Sequence, residues 1–223
     1  MKTLSYSTIS TAVILGLAGL SGLASISAHA DVLEVIEVTA QKRTQSVQEV
    51  GISITAFSGE QIDALGYDNA QEVTAMAPGV TAIQPNGPSA FYINIRGVAQ
   101  NDFSGDHQES PVAVYLDEAY ISASSGAGFQ LFDIERVEIL KGPQGTLFGR
   151  NATGGLVHYI SRKPTDTFEG YGKLTLGSYN QVLTEGAVGG ALTDTLFSRF
   201  SFTTNNHQPY INNTLGKDLN NGD

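Results

Sequence analysis

Three runs toward the C-terminal end limit the architecture more than any other feature of the chain. Residues 170–177 (GYGKLTLG), 181–189 (QVLTEGAVG) and 195–204 (TLFSRFSFTT) are strand-like, and each is about as long as a tilted strand that crosses a bilayer. In the third, Leu196, Phe200 and Phe202 fall on one face and Arg199, Ser201 and Thr203 on the other, the apolar-out, polar-in alternation of a barrel wall. A short turn is expected at 190–194, whereas a long Asn-rich stretch follows Thr204, and short turns at one rim with long loops at the other are typical of outer-membrane barrels. Three strands cannot close, and an open sheet in lipid leaves edge amides and carbonyls unsatisfied. The expectation is a barrel that continues past Asp223, so that the chain is a fragment ending in an extracellular loop.

The opposite end carries an export signal. Lys2 is the single formally charged side chain in the first thirty residues, and the apolar run at 12–20 follows it. The segment ends Ala28-His29-Ala30, with small residues where a signal peptidase needs them, which predicts a signal peptide over residues 1–30. Gly16, Gly19, Ser21 and Gly22 interrupt the apolar core, which argues against a retained anchor. The mature chain then holds 11 basic and 22 acidic residues and works outside the cytoplasm.

Charge and composition remove several function classes. At formal charge −10 there is no basic field for a phosphate backbone, so no nucleic-acid partner is expected. Zero Cys removes thiolate zinc sites, disulfides and cysteine nucleophiles together. No acid/base or nucleophile pattern stands out, so an enzyme is not expected, nor is a cofactor. Asp102, Asp106, His107 and Glu109 cluster in the loop QNDFSGDHQES, but their spacing is not that of a calcium or zinc motif, and no metal site is assigned. The glycine-rich block from Gly142 to Gly155 lacks the Gly-Lys-Ser/Thr ending of a phosphate loop.

Between these ends lie a linker and a compact domain. Residues 31–47 read DVLEVIEVTAQKRTQSV, with Val32, Ile36 and Val38 at even steps among polar residues; the expectation is a mobile extended segment without a partner strand. Ile52, Ile54 and Ala56 alternate against Ser53 and Thr55, marking a strand, and Ser58 with Gln61 forms a capping box at a helix that Gly66 stops. A second helix is expected at 69–76, then strands at 80–84, 91–96, 112–116, 134–140 and 156–162. Residues 48–164 therefore read as one small mixed sheet with short helices packed on it.

Four ordered blocks resemble the TonB-dependent receptors, outer-membrane transporters in which a plug domain fills a large barrel. Residues 34–40 (EVIEVTA) resemble the TonB box, 91–98 (FYINIRGV) the plug's Ile-Arg-Gly strand, and 112–121 (VAVYLDEAYI) with 134–163 its most recognisable later blocks. The resemblance covers essentially the whole chain and implies an α+β plug domain followed by the first strands of a large antiparallel transmembrane β-barrel. The domains it implies are the signal peptide, the box and linker at 31–47, the plug at 48–164 and the truncated barrel at 165–223.

It also implies roles. Glu34, Val35, Ile36, Glu37, Val38, Thr39 and Ala40 would bind the TonB C-terminal domain, energised through ExbB and ExbD; an exposed peptide with one apolar face suits strand addition to a partner sheet. Arg96 and Lys141 would form a buried charge cluster with barrel glutamates beyond Asp223, Lys141 standing where arginine is the commoner residue. Tyr92, Phe103, Tyr120 and Phe129 are candidate ligand contacts in or beside apical loops. The implied function is TonB-dependent import across the Gram-negative outer membrane of a small-molecule or metal-chelate ligand, first a ferric siderophore, with cobalamin, haem or an oligosaccharide as alternatives. Lipid of that membrane is the other implied partner, and a free periplasmic plug-like binding module is the rival reading.

Overall fold

A computed structural model describes residues 36–85, 91–100, 109–123 and 126–209. The predicted signal peptide, Glu34, Val35, Phe103 and most of the acidic loop lie outside the described residues.

The centre of the plug is a five-stranded mixed sheet in the order β3 (Ile54–Ser58), β8 (Ile134–Lys141), β9 (Gly155–Ser161), β6 (Val112–Leu116) and β7 (Ala119–Ile121). Only β6 and β9 run parallel. The central strand β9 is buried on both faces, which is why Leu156 to Ile160 reads as a nearly continuous apolar run rather than an alternating one. One face, carrying Val112, Val137, Ile139, Val157 and Tyr159, packs against α1 (Gly59–Leu65), α2 (Ala70–Ala75) and the hairpin of β4 (Val80–Ile83) with β5 (Tyr92–Ile95).

Local chemistry fixes the helices. Ser58 Oγ accepts from the Gln61 amide and Gln61 Oε1 accepts from the Ser58 amide, both at 3.3 Å, so the expected capping box is present, and Gly66 at φ 72° ends α1. The first residue of α1 has no room for a side chain: a Cβ on Gly59 would lie 2.2 Å from the Ile134 carbonyl oxygen. Tyr159 pins α2 to the sheet, its buried hydroxyl 2.6 Å from Thr74 Oγ1 and 3.0 Å from the Ala70 carbonyl. Burial pushes that phenol's pKa far above its usual value.

The second face of the sheet is covered by the N-terminal strand and by a one-turn helix, α3 (Gly145–Phe148), through Val38, Ala40, Phe148, Ala113, Leu140 and Leu156. Here the sequence expectation needs correction. The segment after Ile36 has a partner strand: β1 (Glu37–Val38) pairs antiparallel with β2 (Gln45–Ser46), and the Val47 amide donates to the Ile36 carbonyl at 3.0 Å. The partner is polar and the turn between them places Lys42 at φ 57° without glycine or asparagine, so neither usual hairpin signal was present.

Beyond Pro164, β10 (Glu169–Gly177), β11 (Gln181–Thr193) and β12 (Leu196–Asn206) form an antiparallel sheet. Leu174, Val188, Phe200 and Phe202 point outward and are exposed, while Leu183, Glu185 and Ala187 are buried on the plug side. The turn expected at 190–194 is shorter than the sequence implied. Residues 190–193 stay in β11 because pairing with β12 satisfies their backbone, a bulge lies between Ala191 and Thr193, and the chain reverses at Asp194 and Thr195.

Candidate functional site: the N-terminal strand on its seat

Alternation along the N-terminal strand decides what it presents. Val38 and Ala40 are fully buried, Glu37 is exposed and Ile36 is half-buried. Beneath it, β8, β9 and β6 bring Glu138, His158 and Tyr115 side by side across the sheet.

Glu138 is the centre of the seat and is completely buried. Its Oε1 accepts from the Thr39 amide at 2.8 Å, from the Thr39 hydroxyl at 3.3 Å and from Arg136 Nε at 2.8 Å. Arg136 Nη2 donates back to Thr39 Oγ1 at 3.1 Å, so the threonine hydroxyl bridges an acid and a base. Lys42 extends the attachment, pairing with Glu118 and lying 4.8 Å above the Phe148 ring. The Lys42 hydrogen bond holds the Glu118 carboxyl below its usual range.

The seat is not saturated. Among the described residues, Glu138 Oε2 and His158 Nδ1 are buried without a hydrogen-bond partner. His158 Nε2 contacts the Asp117 carbonyl, and burial lowers the imidazole pKa, so the ring is neutral with Nε2 as the donor and a bare Nδ1 lone pair.

Arg96 and Lys141 also come together. Arg96 Nη2 donates to Ser53 Oγ at 2.7 Å, and Lys141 Nζ donates to Thr55 Oγ1 at 2.8 Å and to the Pro78 carbonyl at 3.4 Å. Burial and then the neighbouring Arg96 charge lower the Lys141 pKa, and among the described residues neither cation forms an ion pair with a carboxylate.

The aromatic candidates separate. Tyr92 and Tyr120 line one cleft with Gln100 and Glu109. Asn151 Nδ2 ties its rim together, donating to Glu109 Oε2 at 2.6 Å and to Tyr120 Oη at 2.8 Å. Phe129 is half-buried and meets Tyr159 edge-on, with centroids 4.9 Å apart.

Sequence reasoning did not single out Arg136, Glu138 or Asp133. The available signal was a glutamate inside the otherwise apolar VEIL of β8, on the face where a side chain is buried.

Comparison with known proteins agrees with this architecture. Residues 46–156 match the TonB-dependent Receptor Plug Domain family. The pesticin receptor of Yersinia enterocolitica is 31% identical over 138 residues, covering 61% of this chain and 20% of that protein. The ferripyoverdine receptor of Pseudomonas aeruginosa is 30% identical over 156 residues, 70% and 18% of the two chains. The crystal structure of the ferric yersiniabactin uptake receptor FyuA from Yersinia pestis superposes with a TM-score of 0.62 at 25% identity, over 68% of this chain and 24% of that one. The chain thus spans about a fifth of the length of the curated relatives it matches. With a plug sheet bearing a seated N-terminal strand, followed by antiparallel strands whose apolar face points outward, the chain belongs to the TonB-dependent receptor family.

Proposed function

We propose that this chain supplies the plug and first wall strands of an outer-membrane importer for a ferric siderophore, driven by TonB with ExbB and ExbD. The observation that carries this reading is the N-terminal strand seated on the plug by Glu138 and Arg136 at Thr39 and by Glu118 at Lys42. Ligand at the apical loops loosens that hold, Ile36 to Ala40 leave the seat, and their backbone adds as a strand to the TonB C-terminal domain. Arg96 and Lys141 keep the plug oriented through wall carboxylates, and Tyr92 and Tyr120 contribute to the ligand cleft. The siderophore assignment follows the relatives, whose names include receptors for ferripyoverdine and ferric yersiniabactin.

The test uses the intact receptor in cells starved of iron. Ile36→Pro is expected to abolish uptake of radiolabelled ferric siderophore while surface binding is retained, because proline removes a backbone donor and distorts strand pairing. Normal uptake by this variant refutes the proposal.

A further inference from the structure

The plug meets the wall at a second charged site, remote in sequence from the N-terminal strand. Asp133 immediately precedes β8, and its carboxylate is gripped by Arg199 of β12: Nε to Oδ2 at 2.6 Å and Nη2 to Oδ1 at 2.5 Å. Both side chains are almost fully buried, 4% and 6% exposed. The third guanidinium nitrogen, Nη1, donates to Glu169 Oε1 at 2.7 Å, so one arginine ties the plug to its own strand and to the start of β10.

The backbone of Asp133 is held as well. Its amide donates to Glu185 Oε1 of β11 at 3.3 Å, and its carbonyl accepts from the Arg162 amide at 2.9 Å. The residue sits at φ 53°, a conformation that aspartate and asparagine tolerate better than most side chains. One plug residue is therefore fixed directly by two wall strands, β11 and β12, and by the Arg162 amide just past β9, while Glu169 of β10 holds the arginine that clasps it.

The cavity beside it, bordered by Asp63, Arg162, Tyr171, Lys173 and Glu185, has a volume of about 140 Å³. Small-molecule sites occupy roughly 300–1,000 Å³, so this cavity is smaller than an ordinary ligand pocket and reads as a packed joint between plug and wall. On the sheet, β8 has β9 on one side and the edge strand β3 on the other.

We infer that Asp133, clasped by Arg199 and Glu185, is the positioning residue that keeps β8 fixed to the wall when the N-terminal strand is pulled, so that the plug yields at the β3 edge and stays attached at this joint. The inference rests on the transport reading above. The joint itself does not, because Asp133 and Arg199 meet whether or not TonB pulls on the plug.

The test compares Arg199→Met, Arg199→Lys and Asp133→Asn with the parent in the intact receptor. In purified protein, Arg199→Met and Asp133→Asn are expected to raise amide exchange over residues 133–138 by about tenfold and to leave residues 156–160 nearly unchanged, since either change removes the ion pair that holds the start of β8 to the wall. In cells, both variants bind siderophore normally, lose most uptake and become sensitive to a bulky antibiotic that the outer membrane excludes. That sensitivity disappears when TonB is deleted, and Arg199→Lys, which keeps the charge, restores exclusion at least in part. Unchanged exchange in both variants overturns the joint. Raised exchange with parental uptake and exclusion also overturns the inference, because the ion pair is then only structural. If the parent takes up no siderophore, the transport reading fails, and exchange still decides whether Asp133 anchors the plug.

Discussion

Replacing Thr39 by valine isolates the contribution of the seat, because valine keeps the branched shape and the backbone amide while removing the bridging hydroxyl. That hydroxyl accepts from Arg136 at 3.1 Å and donates to Glu138 at 3.3 Å. Hydrogen bonds to charged groups contribute about 1.5–3 kcal/mol each, but these two are long, and Arg136 and Glu138 retain each other at 2.8 Å. A net loss of about 2 kcal/mol is therefore expected, which corresponds to roughly a 30-fold larger population of the unseated strand. Amide exchange over residues 36–47, read by mass spectrometry on the receptor without ligand, should rise by that factor, and Thr39→Ser should return it to near the parental rate. Exchange unchanged over this segment refutes the role of the hydroxyl. An equal rise across β8 and β9 refutes the local character of the seat, since it would mean that the whole plug had loosened.

Three further outcomes follow from other parts of the structure. Gly155→Ala should cost about 3 kcal/mol or more in denaturant melts, because φ is +141° there and the new Cβ would stand 2.3 Å from the Leu140 carbonyl oxygen; a loss under about 1 kcal/mol would contradict it. His158 has a folded pKa below its unfolded value, so between the two the unfolded chain binds the extra proton and stability falls as pH drops from the unfolded pKa, about 6.5, toward the folded one. Melts at pH 7.5 and 5.5 should then separate more for the parent than for His158→Leu, and equal separation would count against it. Phe200→Arg on the outward face should cost about 2–4 kcal/mol of membrane stability if it lies near the midplane, whereas Ser201→Arg on the inward face should be tolerated; heat-modifiable gel mobility reports both, and equal damage would reverse the assignment of faces.

What could be read without coordinates was what repeats along the chain. The even-step apolar residues at Ile52, Ile54 and Ala56 all pack in the second core cluster, and the Ser58–Gln61 cap and the span of β6 agree with the structure residue for residue. Shorter elements escaped: β7 is three residues long behind a turn with Asp117 at φ 52°, and α3 is a single turn in a glycine-rich block. The sites were legible only on one side. Alternation marked the face that Val38 and Ala40 bury, but the residues receiving that face come from β8 and β9, and no spacing rule links Thr39 to Glu138 across 99 positions or Asp133 to Arg199 across 66. Such pairs are created by topology, so a single sequence carries no local trace of them.

The order of the central sheet also dictates when the N-terminal strand can dock during folding. β9 is the last plug strand to emerge, yet it inserts between β6 and β8, and the parallel β6–β9 pair cannot form by a tight hairpin. The antiparallel β6–β7 and β8–β9 pairs close short loops, whereas closing the loop back to residue 39 comes at high contact order. Made before the plug strands that form its seat, the N-terminal strand is thus among the last segments to find its place. Until Gly155–Ser161 have paired, the central sheet lacks its middle strand and the N-terminal strand has no complete surface to cover.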